Sequence, residues 1–292
     1  KDLSKLVVEG YNHPCIVMIG TRINESKDDD DFYKKTRDLV KSIDVSRPTG
    51  GVRNFPNSHL FEDVYTMNDF THRGNNMGLT KKRKITDKEN PYLITEHNGH
   101  MFPTKSFDHE SIRIEQCKRH LAVLNDAYSM RGLMGVIGWC MNDYQTHAVF
   151  GSNNNICYHG VLDINRNPKY SAAVYASQGD HPVLEVLSMM HIGEQPGGEL
   201  KSVMVLTNCD YIELYKGNDL IGKHYPSKKY SNLVHPPIVI DDFIGNLLEK
   251  NEPFSKKDAK RIKSIMIYML NNHLKMRIID RLIFGYLLVK YR

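Results

Sequence analysis

Short apolar runs alternate with longer helical patterns over the first 180 residues, and this alternation limits the fold more than any other feature of the chain. The apolar runs lie at residues 15–20, 92–95 and 133–141, and helical patterns lie between them at residues 31–43 and 109–130. A strand–helix–strand order of this kind is typical of an α/β protein with a parallel sheet. Continuous apolar runs further indicate strands that are buried on both faces.

A second pattern begins after residue 178, where β-rich segments and then helices replace the alternation. Residues 202–208 and 211–215 favour strands, and Gly217 with Asn218 favours a hairpin turn between strands. The helical pattern returns at Ser255, the expected N-cap. We therefore expect an α/β domain, a small antiparallel β-sandwich and a helical tail, at residues 1–180, 181–250 and 251–292.

Composition excludes several classes of protein. The chain has 292 residues, 40% of them hydrophobic, and a formal net charge of +5. No apolar run approaches the ~20 residues that a membrane-spanning helix requires, so we expect no membrane partner. Nucleic-acid binding would need a concentrated basic face with interleaved aromatic residues. The basic residues instead gather at residues 81–84 and near the end of the chain, which favours solvated helix faces or a loop and no nucleic-acid partner.

The five cysteines are scattered, with no CxxC pair and no Cys/His spacing of a zinc site. Such a low, odd count favours reduced, buried thiols in a cytoplasmic protein. The acidic residues 28–31 look like a set of metal ligands, but consecutive acids that open a helix point in different directions. We therefore expect no metal site and no cofactor.

Two glutamates follow apolar strands at the points where these strands end. Glu25 comes after the run at residues 15–20, and Glu96 follows the run at residues 92–95. A parallel β/α barrel brings the carboxyl ends of its strands to one rim, so both side chains are expected there. Two rim carboxylates suit glycoside hydrolysis, in which one acts as general acid and base and the other attacks the anomeric carbon. The alternative is that each glutamate caps the helix that follows it.

Several short motifs surround these glutamates in a consistent order. They are NHP (residues 12–14), RINES (22–26), SRPTGGV (46–52), DVYTMN (63–68), PYLITEH (91–97), GWCMNDY (138–144) and YHGVLD (158–163). In this order and spacing they resemble the motifs of glycoside hydrolase family 2, which includes bacterial β-galactosidases, β-glucuronidases and β-mannosidases. The resemblance covers roughly residues 1–250. It implies strands 4–8 of a (β/α)8 TIM barrel, followed by an immunoglobulin-like β-sandwich.

The resemblance assigns a role to each matched position at the rim. Glu25 matches the acid/base of the family and Glu96 matches its nucleophile. Asn24 matches the residue that hydrogen-bonds the sugar 2-hydroxyl, Asn68 a rim asparagine, and Trp139 the aromatic floor beneath the sugar. The implied activity is retaining hydrolysis of terminal β-D-galactosides by double displacement. Simple barrel packing is the alternative role of Trp139, the only tryptophan in the chain.

Two histidines are further candidates for contacts with the sugar. His97 directly follows the matched nucleophile, and His159 lies in the YHGVLD motif. The alternative for both is a polar or core position without a role in binding. One catalytic carboxylate is also expected to be held in its ionised form by nearby positive charge. The candidates for this charge are Arg22, His97 and His100.

The chain departs from the family at two places that bear on the substrate. Many members place a tyrosine near the nucleophile where this chain has Phe70, so either Tyr65 supplies the hydroxyl or that hydrogen bond is absent. Glucuronidases of the family bind a carboxylate with an Asn-x-Lys pair, whereas this chain has Cys157 and His159 at these positions. This difference argues against a uronic-acid substrate and favours a β-galactoside or a related oligosaccharide.

The N-terminal part of the family pattern has no counterpart in the sequence. The first residue is Lys1, and the matched motifs begin with the fourth barrel strand, so we expect an internal piece of a longer protein. We expect it to act with the missing N-terminal half or in a homo-oligomer. Rival functions are a non-catalytic carbohydrate-binding or structural remnant of such an enzyme, and a β-mannosidase or another family 2 glycosidase. The tail is expected to pack on the barrel or the sandwich, with a membrane-surface helix as the alternative.

Overall fold

A computed structural model describes residues 1–70, 78–87, 89–99, 102–147, 153–190 and 202–291 of the chain. The chain divides into two compact units. The first contains Lys1–Lys105 and Gln116–Asn167, and the second contains Ser106–Glu115 and Pro168–Arg292. The predicted sandwich and the predicted helical tail thus fall within one unit, and domain boundaries at residues 180 and 250 remain a prediction.

The first unit is built on a parallel sheet of five strands. Their order in the sheet is their order in the chain: β1 (Ile19–Gly20), β2 (Thr49–Gly51), β3 (Val64–Asp69), β4 (Tyr92–His97) and β5 (Leu133–Val136). This arrangement confirms the predicted α/β class. A short antiparallel ribbon of β6 (Tyr144–Gln145) and β7 (Ile156–Cys157) follows the sheet.

Helices lie before β1 and in three of the four connections of this sheet, and the two longest correspond to the helical patterns predicted at residues 31–43 and 109–130. The helices are α1 (Asp2–Gly10) before β1, α2 (Asp30–Ile43) between β1 and β2, α3 (Lys82–Ile85) between β3 and β4, and α4 (Glu110–Ser129) between β4 and β5. The acidic run opens α2, because the Asp29 side chain accepts a hydrogen bond from the Phe32 backbone N–H at 3.0 Å. Such an N-cap satisfies a donor that the first helical turn leaves unpaired.

The contact of β3 and β4 with α4 forms the centre of the first unit. All six residues of β3 are buried, as expected for a strand that is covered on both faces. Tyr65, Tyr92 and Ile94 are fully buried and belong to one cluster with Val123 of α4. This core holds the carboxyl ends of β3 and β4 beside each other.

The two edge strands differ from the buried runs that the sequence predicts. The predicted strand at residues 15–20 is wrong in length and burial, since β1 has two residues and Val17 is 73% exposed. The predicted strand at residues 133–141 is also too long, and Met141 is 66% exposed. Burial on both faces requires covering elements on both sides, and β1 and β5 lie at the ends of the strand order.

The second unit contains small antiparallel sheets, which confirms the β-rich character predicted for this region. Its strands are β8 (Leu184–Val186), β9 (Val203–Thr207), β10 (Ile212–Lys216), β11 (Asp219–His224) and β12 (Ile238–Ile240). One sheet has the order β12–β9–β8, and β10 and β11 form a hairpin. Gly217 turns this hairpin with a φ of +59°, which glycine adopts without a Cβ clash. Val205, Ile238 and Leu214 join the two sheets in one apolar cluster.

The helical tail contacts the segment that follows β12. The helices of this unit are α5 (Ala172–Ala176), α6 (Leu247–Asn251), α7 (Lys256–Asn271) and α8 (Ile278–Lys290). Ser255 caps α7 as predicted, since its hydroxyl accepts a hydrogen bond from the Asp258 backbone N–H at 3.2 Å. Lys263 of α7 binds the Asp242 carboxylate and the Gly245 carbonyl, both after β12. Of the helices in the described ranges, none combines the length and the apolar character needed to cross a membrane.

All five cysteines are free thiols. Cys117 and Cys157 are buried, as expected, but Cys15 and Cys209 are exposed, so the prediction of buried thiols is wrong for these two. Both exposed cysteines lie in connecting segments, which run over the surface of a domain.

Candidate active site

The carboxyl ends of β3, β4 and β5 meet at a cleft of about 810 Å³. Asn68 lies beside Glu96 in the parallel register of β3 and β4. Beyond β5, Trp139 pairs with Asn98, and the Trp139 backbone N–H donates to the His97 carbonyl at 3.0 Å. Among the described residues, the cleft is lined by Asn24, Glu25, Asn54, Pro56, Met67, Asn68, Asp69, Phe70, Thr80, Ile85, Glu96, Trp139 and Tyr144. The structure therefore brings together five site residues predicted from the sequence: Asn24, Glu25, Asn68, Glu96 and Trp139.

Glu25 and Glu96 share the cleft but differ in burial. Glu25 is exposed, whereas Glu96 is partly buried near the end of β4. Burial raises the pKa of Glu96 above its ordinary value of 4.5, the Asn68 amide opposes this shift, and the negative charge of Glu25 raises the pKa further. The two carboxylates are therefore close enough to interact electrostatically.

The Asn68 side chain is oriented by its neighbours. The Thr95 hydroxyl donates a hydrogen bond to Asn68 Oδ1 at 2.8 Å, and the Asn68 backbone N–H donates to the Arg53 carbonyl at 2.6 Å. Asn68 Nδ2 is buried and makes no hydrogen bond of normal length to the described residues. It lies near enough to Glu96 to lower the pKa of that carboxyl. The amide can thus donate to Glu96 or to a hydroxyl group of a ligand.

Trp139 and Tyr144 form an aromatic side of the cleft. Trp139 is 39% exposed, and its Nε1 donates to the Tyr144 hydroxyl at 3.3 Å. The two rings meet edge to face, with their centroids 6.2 Å apart. Burial raises the pKa of Tyr144 to about 12, so its hydroxyl is neutral at physiological pH. The peptide bond between Trp139 and Cys140 is cis.

The acidic residues at the start of α2 bind three different partners, one of which is Arg22. Arg22 was expected to act on a catalytic carboxylate, but its Nη1 donates to Asp28 Oδ1 at 2.6 Å. Burial opposes the ionisation of Asp28, yet the hydrogen bonds from Arg22 and the His59 backbone hold the pKa of Asp28 below its ordinary value. Asp30 binds His59 Nδ1 at 2.8 Å, while Asp29 caps α2. Within the described ranges, no three His, Cys, Asp or Glu side chains converge on a position for a metal ion.

The structure does not place His97 or His159 among the residues that line the cleft. His97 is fully buried, with its Nδ1 3.2 Å from Asn98 Oδ1. His159 is 2% exposed, has its Nδ1 2.7 Å from Cys157 Sγ, and lines a separate small cavity. His100 lies outside the described residues.

Sequence reasoning missed several residues that line the cleft. Tyr144 is one of them, and its place in the GWCMNDY motif, just beyond a strand end, was the available signal. Phe70 also lines the cleft, whereas Tyr65 is fully buried in the core of the first unit. A tyrosine hydroxyl at the cleft thus comes from Tyr144. Asp69 lines the cleft as well, and its Oδ2 accepts a hydrogen bond from the Thr80 backbone N–H at 2.6 Å.

The cleft combines the three carboxylates of Glu25, Asp69 and Glu96 with amide groups, a tyrosine hydroxyl and an exposed indole. Carboxylates can transfer protons and can attack an electrophilic carbon. The amides and the hydroxyl can bind the hydroxyl groups of a sugar, while the indole offers an apolar surface to its C–H groups. Among the described lining residues there is no lysine or arginine, so the chemistry of the cleft favours a neutral polar ligand over an anionic one.

The chain is similar to curated β-galactosidases. It is 46% identical over 248 residues to the β-galactosidase of Thermoanaerobacterium thermosulfurigenes, which covers 82% of this chain and 35% of that protein. It is 40% identical over 237 residues to the β-galactosidase of Rhizobium meliloti, which covers 76% of this chain and 31% of that protein. The chain thus spans about a third of the length of the curated relatives it matches. A comparison with protein-family models finds no match.

Solved structures share the fold at lower sequence identity. An FMN-binding β-glucuronidase from Facaelibacterium prausnitzii L2-6 aligns with a TM-score of 0.63 and 17% identity, over 82% of this chain and 39% of that chain. A GH2 β-galacturonidase from Eisenbergiella tayi bound to galacturonate aligns with a TM-score of 0.52 and 21% identity, over 61% of this chain and 36% of that chain. At these identities the similarity concerns the fold alone.

Proposed function

Because the chain belongs to glycoside hydrolase family 2, we propose that it carries the two catalytic glutamates of a retaining β-galactosidase. The observation that carries this proposal is the shared cleft, in which Glu25 and Glu96 interact electrostatically beside Trp139. The substrate is a terminal β-D-galactoside or a related oligosaccharide. The curated relatives, which are named β-galactosidases, support this choice.

The proposed reaction is a double displacement. Ionised Glu96 attacks the anomeric carbon while Glu25 gives its proton to the glycosidic oxygen, so the glycosidic C–O bond breaks and the alcohol leaves. Water then attacks the glycosyl intermediate on Glu96, and Glu25 takes the proton of that water as general base. Galactose leaves, and both glutamates return to their initial states. Retention requires the two carboxyl groups to lie about 5–5.5 Å apart.

The sugar is proposed to lie between Trp139 and the two asparagines. Asn24 and Asn68 offer amide groups beside the acid/base and the nucleophile, and the Trp139 indole offers apolar surface to the sugar ring. The described lining contains carboxylates but no lysine or arginine that could pair with an acidic sugar, which supports a galactoside over a uronic acid. His97 and His159 are left out of the proposed sugar contacts, because both are buried away from the cleft.

We also propose that the sheet of the first unit forms strands 4–8 of a (β/α)8 barrel. Consecutive strands that are parallel neighbours match that barrel, three of the four connections between them contain a helix, and the shared fold of the family 2 structures supports the proposal. A five-stranded open sheet has two edges, and exposed edges tend to pair with another strand. The proposed partner is therefore a segment that carries the remaining strands, or a second copy of the chain.

A cytoplasmic location is part of the proposal. All five cysteines are free, and two of them are exposed. Exposed free thiols persist in a reducing compartment, which supports this location.

The test uses a chimera in which this chain replaces the matching segment of the β-galactosidase of T. thermosulfurigenes. The chimera and the 292-residue chain by itself are assayed on a panel of nitrophenyl glycosides. We expect the chimera to prefer the β-galactoside, and we expect Glu96→Gln to abolish its activity. The control Glu9→Gln, at an exposed position of α1, should leave activity unchanged. The isolated chain should hydrolyse galactosides very poorly or not at all.

Other results of this assay would contradict specific parts of the proposal. Preference for a β-mannoside would make the protein another type of family 2 glycosidase. An inactive but folded chimera would favour a non-catalytic remnant. Full activity of Glu96→Gln would refute the assignment of the nucleophile, and full activity of the isolated chain would refute the need for a partner.

A further inference from the structure

A buried arginine closes the loop that carries Asn24 and Glu25. Arg22 Nη1 donates to Asp28 Oδ1 at 2.6 Å, and Arg22 Nη2 donates to the Ser26 carbonyl at 3.0 Å. The side chain of Arg22 is 1% exposed and that of Asp28 is 25% exposed. We propose that Arg22 and Asp28 are positioning residues that hold Glu25 where a general acid must stand. This inference rests on the proposed function of Glu25.

Glu25 depends on its loop for its position. Its side chain is exposed, and among the described residues no hydrogen bond or ion pair holds its carboxylate. Glu96 is different, because it belongs to β4, a strand that has a parallel neighbour on each side. The two carboxylates are thus held in different ways: the sheet supports Glu96, and the hydrogen bonds of Arg22 support the loop of Glu25.

The pair of Arg22 and Asp28 is itself anchored to two neighbouring elements. The Arg22 guanidinium lies 4.7 Å from the centroid of the ring of Tyr33, a buried residue of α2. Asp28 Oδ2 accepts a hydrogen bond from the His59 backbone N–H at 3.1 Å. His59 belongs to the segment between β2 and β3, which also supplies Asn54 to the lining of the cleft. The pair therefore connects the loop of the acid/base both to α2 and to another wall of the cleft.

In the first step, which kcat/KM reports, a displaced acid matters only where the leaving group needs a proton; its role as base in the second step does not enter kcat/KM. Small displacements of a catalytic group can cost on the order of 100-fold in rate. A dinitrophenolate leaves without protonation, whereas an alkoxide such as methoxide does not. Loss of the Arg22–Asp28 pair should therefore slow the hydrolysis of methyl β-galactoside far more than that of dinitrophenyl β-galactoside. A general loss of folded protein would slow both reactions equally.

The experiment compares kcat/KM for these two substrates in the chimera that contains the full chain. Arg22→Gln and Asp28→Asn are each expected to lower kcat/KM for methyl β-galactoside on the order of 100-fold, and to change kcat/KM for the dinitrophenyl substrate by a few-fold at most. Arg22→Lys keeps the charge and should recover part of the loss. The control Arg261→Gln removes an arginine of α7 that is 45% exposed and should change neither value. Glu25→Ala removes the acid completely, so it gives the largest difference in kcat/KM between the two substrates that loss of the acid can produce.

Each result bears on the proposal in one direction. Equal losses with both substrates, or no loss in both the Arg22→Gln and Asp28→Asn variants, would overturn the positioning role while Glu25→Ala still shows the leaving-group effect. If Glu25→Ala shows no such effect, the acid/base assignment itself fails, and the positioning role fails with it. A selective loss for methyl β-galactoside in either variant supports the proposal, so one variant that does not fold leaves the other to decide. A smaller loss in Arg22→Lys than in Arg22→Gln supports it further.

Discussion

We expect Glu62→Gln to lower the free energy of unfolding of the first unit by about 3 kcal/mol, because Glu62 neutralises a fully buried arginine. The side chains of Arg53 and Glu62 are both 0% exposed, and Arg53 Nη2 lies 2.5 Å from Glu62 Oε2. Arg53 also donates to the Gly51 carbonyl and, at 2.8 Å, to the His59 carbonyl. The Arg53 carbonyl in turn accepts a hydrogen bond from Asn68 at 2.6 Å, so the pair supports a residue of the cleft.

The expected magnitude follows from this geometry. Removal of one partner from a buried ion pair typically costs about 3–5 kcal/mol, because an uncompensated charge stays in a medium of low polarity. We expect the lower end of this range, since two backbone carbonyls still accept hydrogen bonds from Arg53 in the Glu62→Gln variant. For a unit of roughly 150–250 residues, 1 kcal/mol changes Tm by about 2–4 °C, so Tm should fall by roughly 6–12 °C.

Urea unfolding followed by tryptophan fluorescence measures this change directly. Trp139 is the only tryptophan of the chain and lies in the first unit, so the signal reports that unit. The matched control is Glu9→Gln, which removes the same charge from an exposed pair with Lys5 and should give no measurable change. A loss below about 1 kcal/mol for Glu62→Gln would refute the reasoning, because it would mean that the charge of Glu62 is not needed to compensate Arg53.

Three further outcomes are expected. Because the Asn68 amide lowers the pKa of Glu96, Asn68→Ala should move the acid limb of the kcat/KM profile to higher pH, and a shift to lower pH would contradict the assignment. Gly160→Ala should strongly destabilise the first unit, since a Cβ there would lie 2.3 Å from backbone atoms of Asn142 and Asp143; an unchanged urea midpoint would contradict this packing. Hydrogen bonds from its neighbours lower the pKa of Asp44 from 3.8 to about 2, so its contribution to stability is present above pH 3.8 and is lost as the pH falls toward 2. Asp44→Asn should therefore lower the urea midpoint at pH 5 and have little effect near pH 2, and a variant effect that is equal at both pH values would disprove this linkage.

The period of a β-strand accounts for one difference between the predicted site and the observed one. Glu96 and His97 are adjacent in β4, and adjacent side chains of a strand point to opposite faces of the sheet. A prediction that Glu96 faces the cleft therefore already favours a position for His97 on the other face. The structure buries His97 completely, with its ring near that of His120 of α4.

Local chemistry was predictable, whereas features that depend on distant neighbours were not. Ser255 as a helix cap and Gly217 as a hairpin turn follow from the residue types and their immediate surroundings. Exposure of Val17 depends on which elements cover the sheet, and the apolar run that contains it gave no sign of this. Arg22 and Asp28 are six positions apart in a loop. Because a loop has no helical or strand period, the sequence does not indicate that these two side chains come into contact.

Covalent labelling of Glu96 tests the central claim most directly. Dinitrophenyl 2-deoxy-2-fluoro-β-D-galactoside combines a good leaving group with a fluorine that destabilises the oxocarbenium-like transition states, so the glycosyl-enzyme forms and then accumulates. The chimera that contains this chain is incubated with the reagent, digested with a protease and analysed by tandem mass spectrometry. We predict a fluorogalactosyl group on Glu96 that is absent from the Glu96→Gln variant. A label on Glu25 or on any other residue, or turnover of ordinary galactosides without a trapped intermediate, would contradict the assignment of Glu96 as the nucleophile.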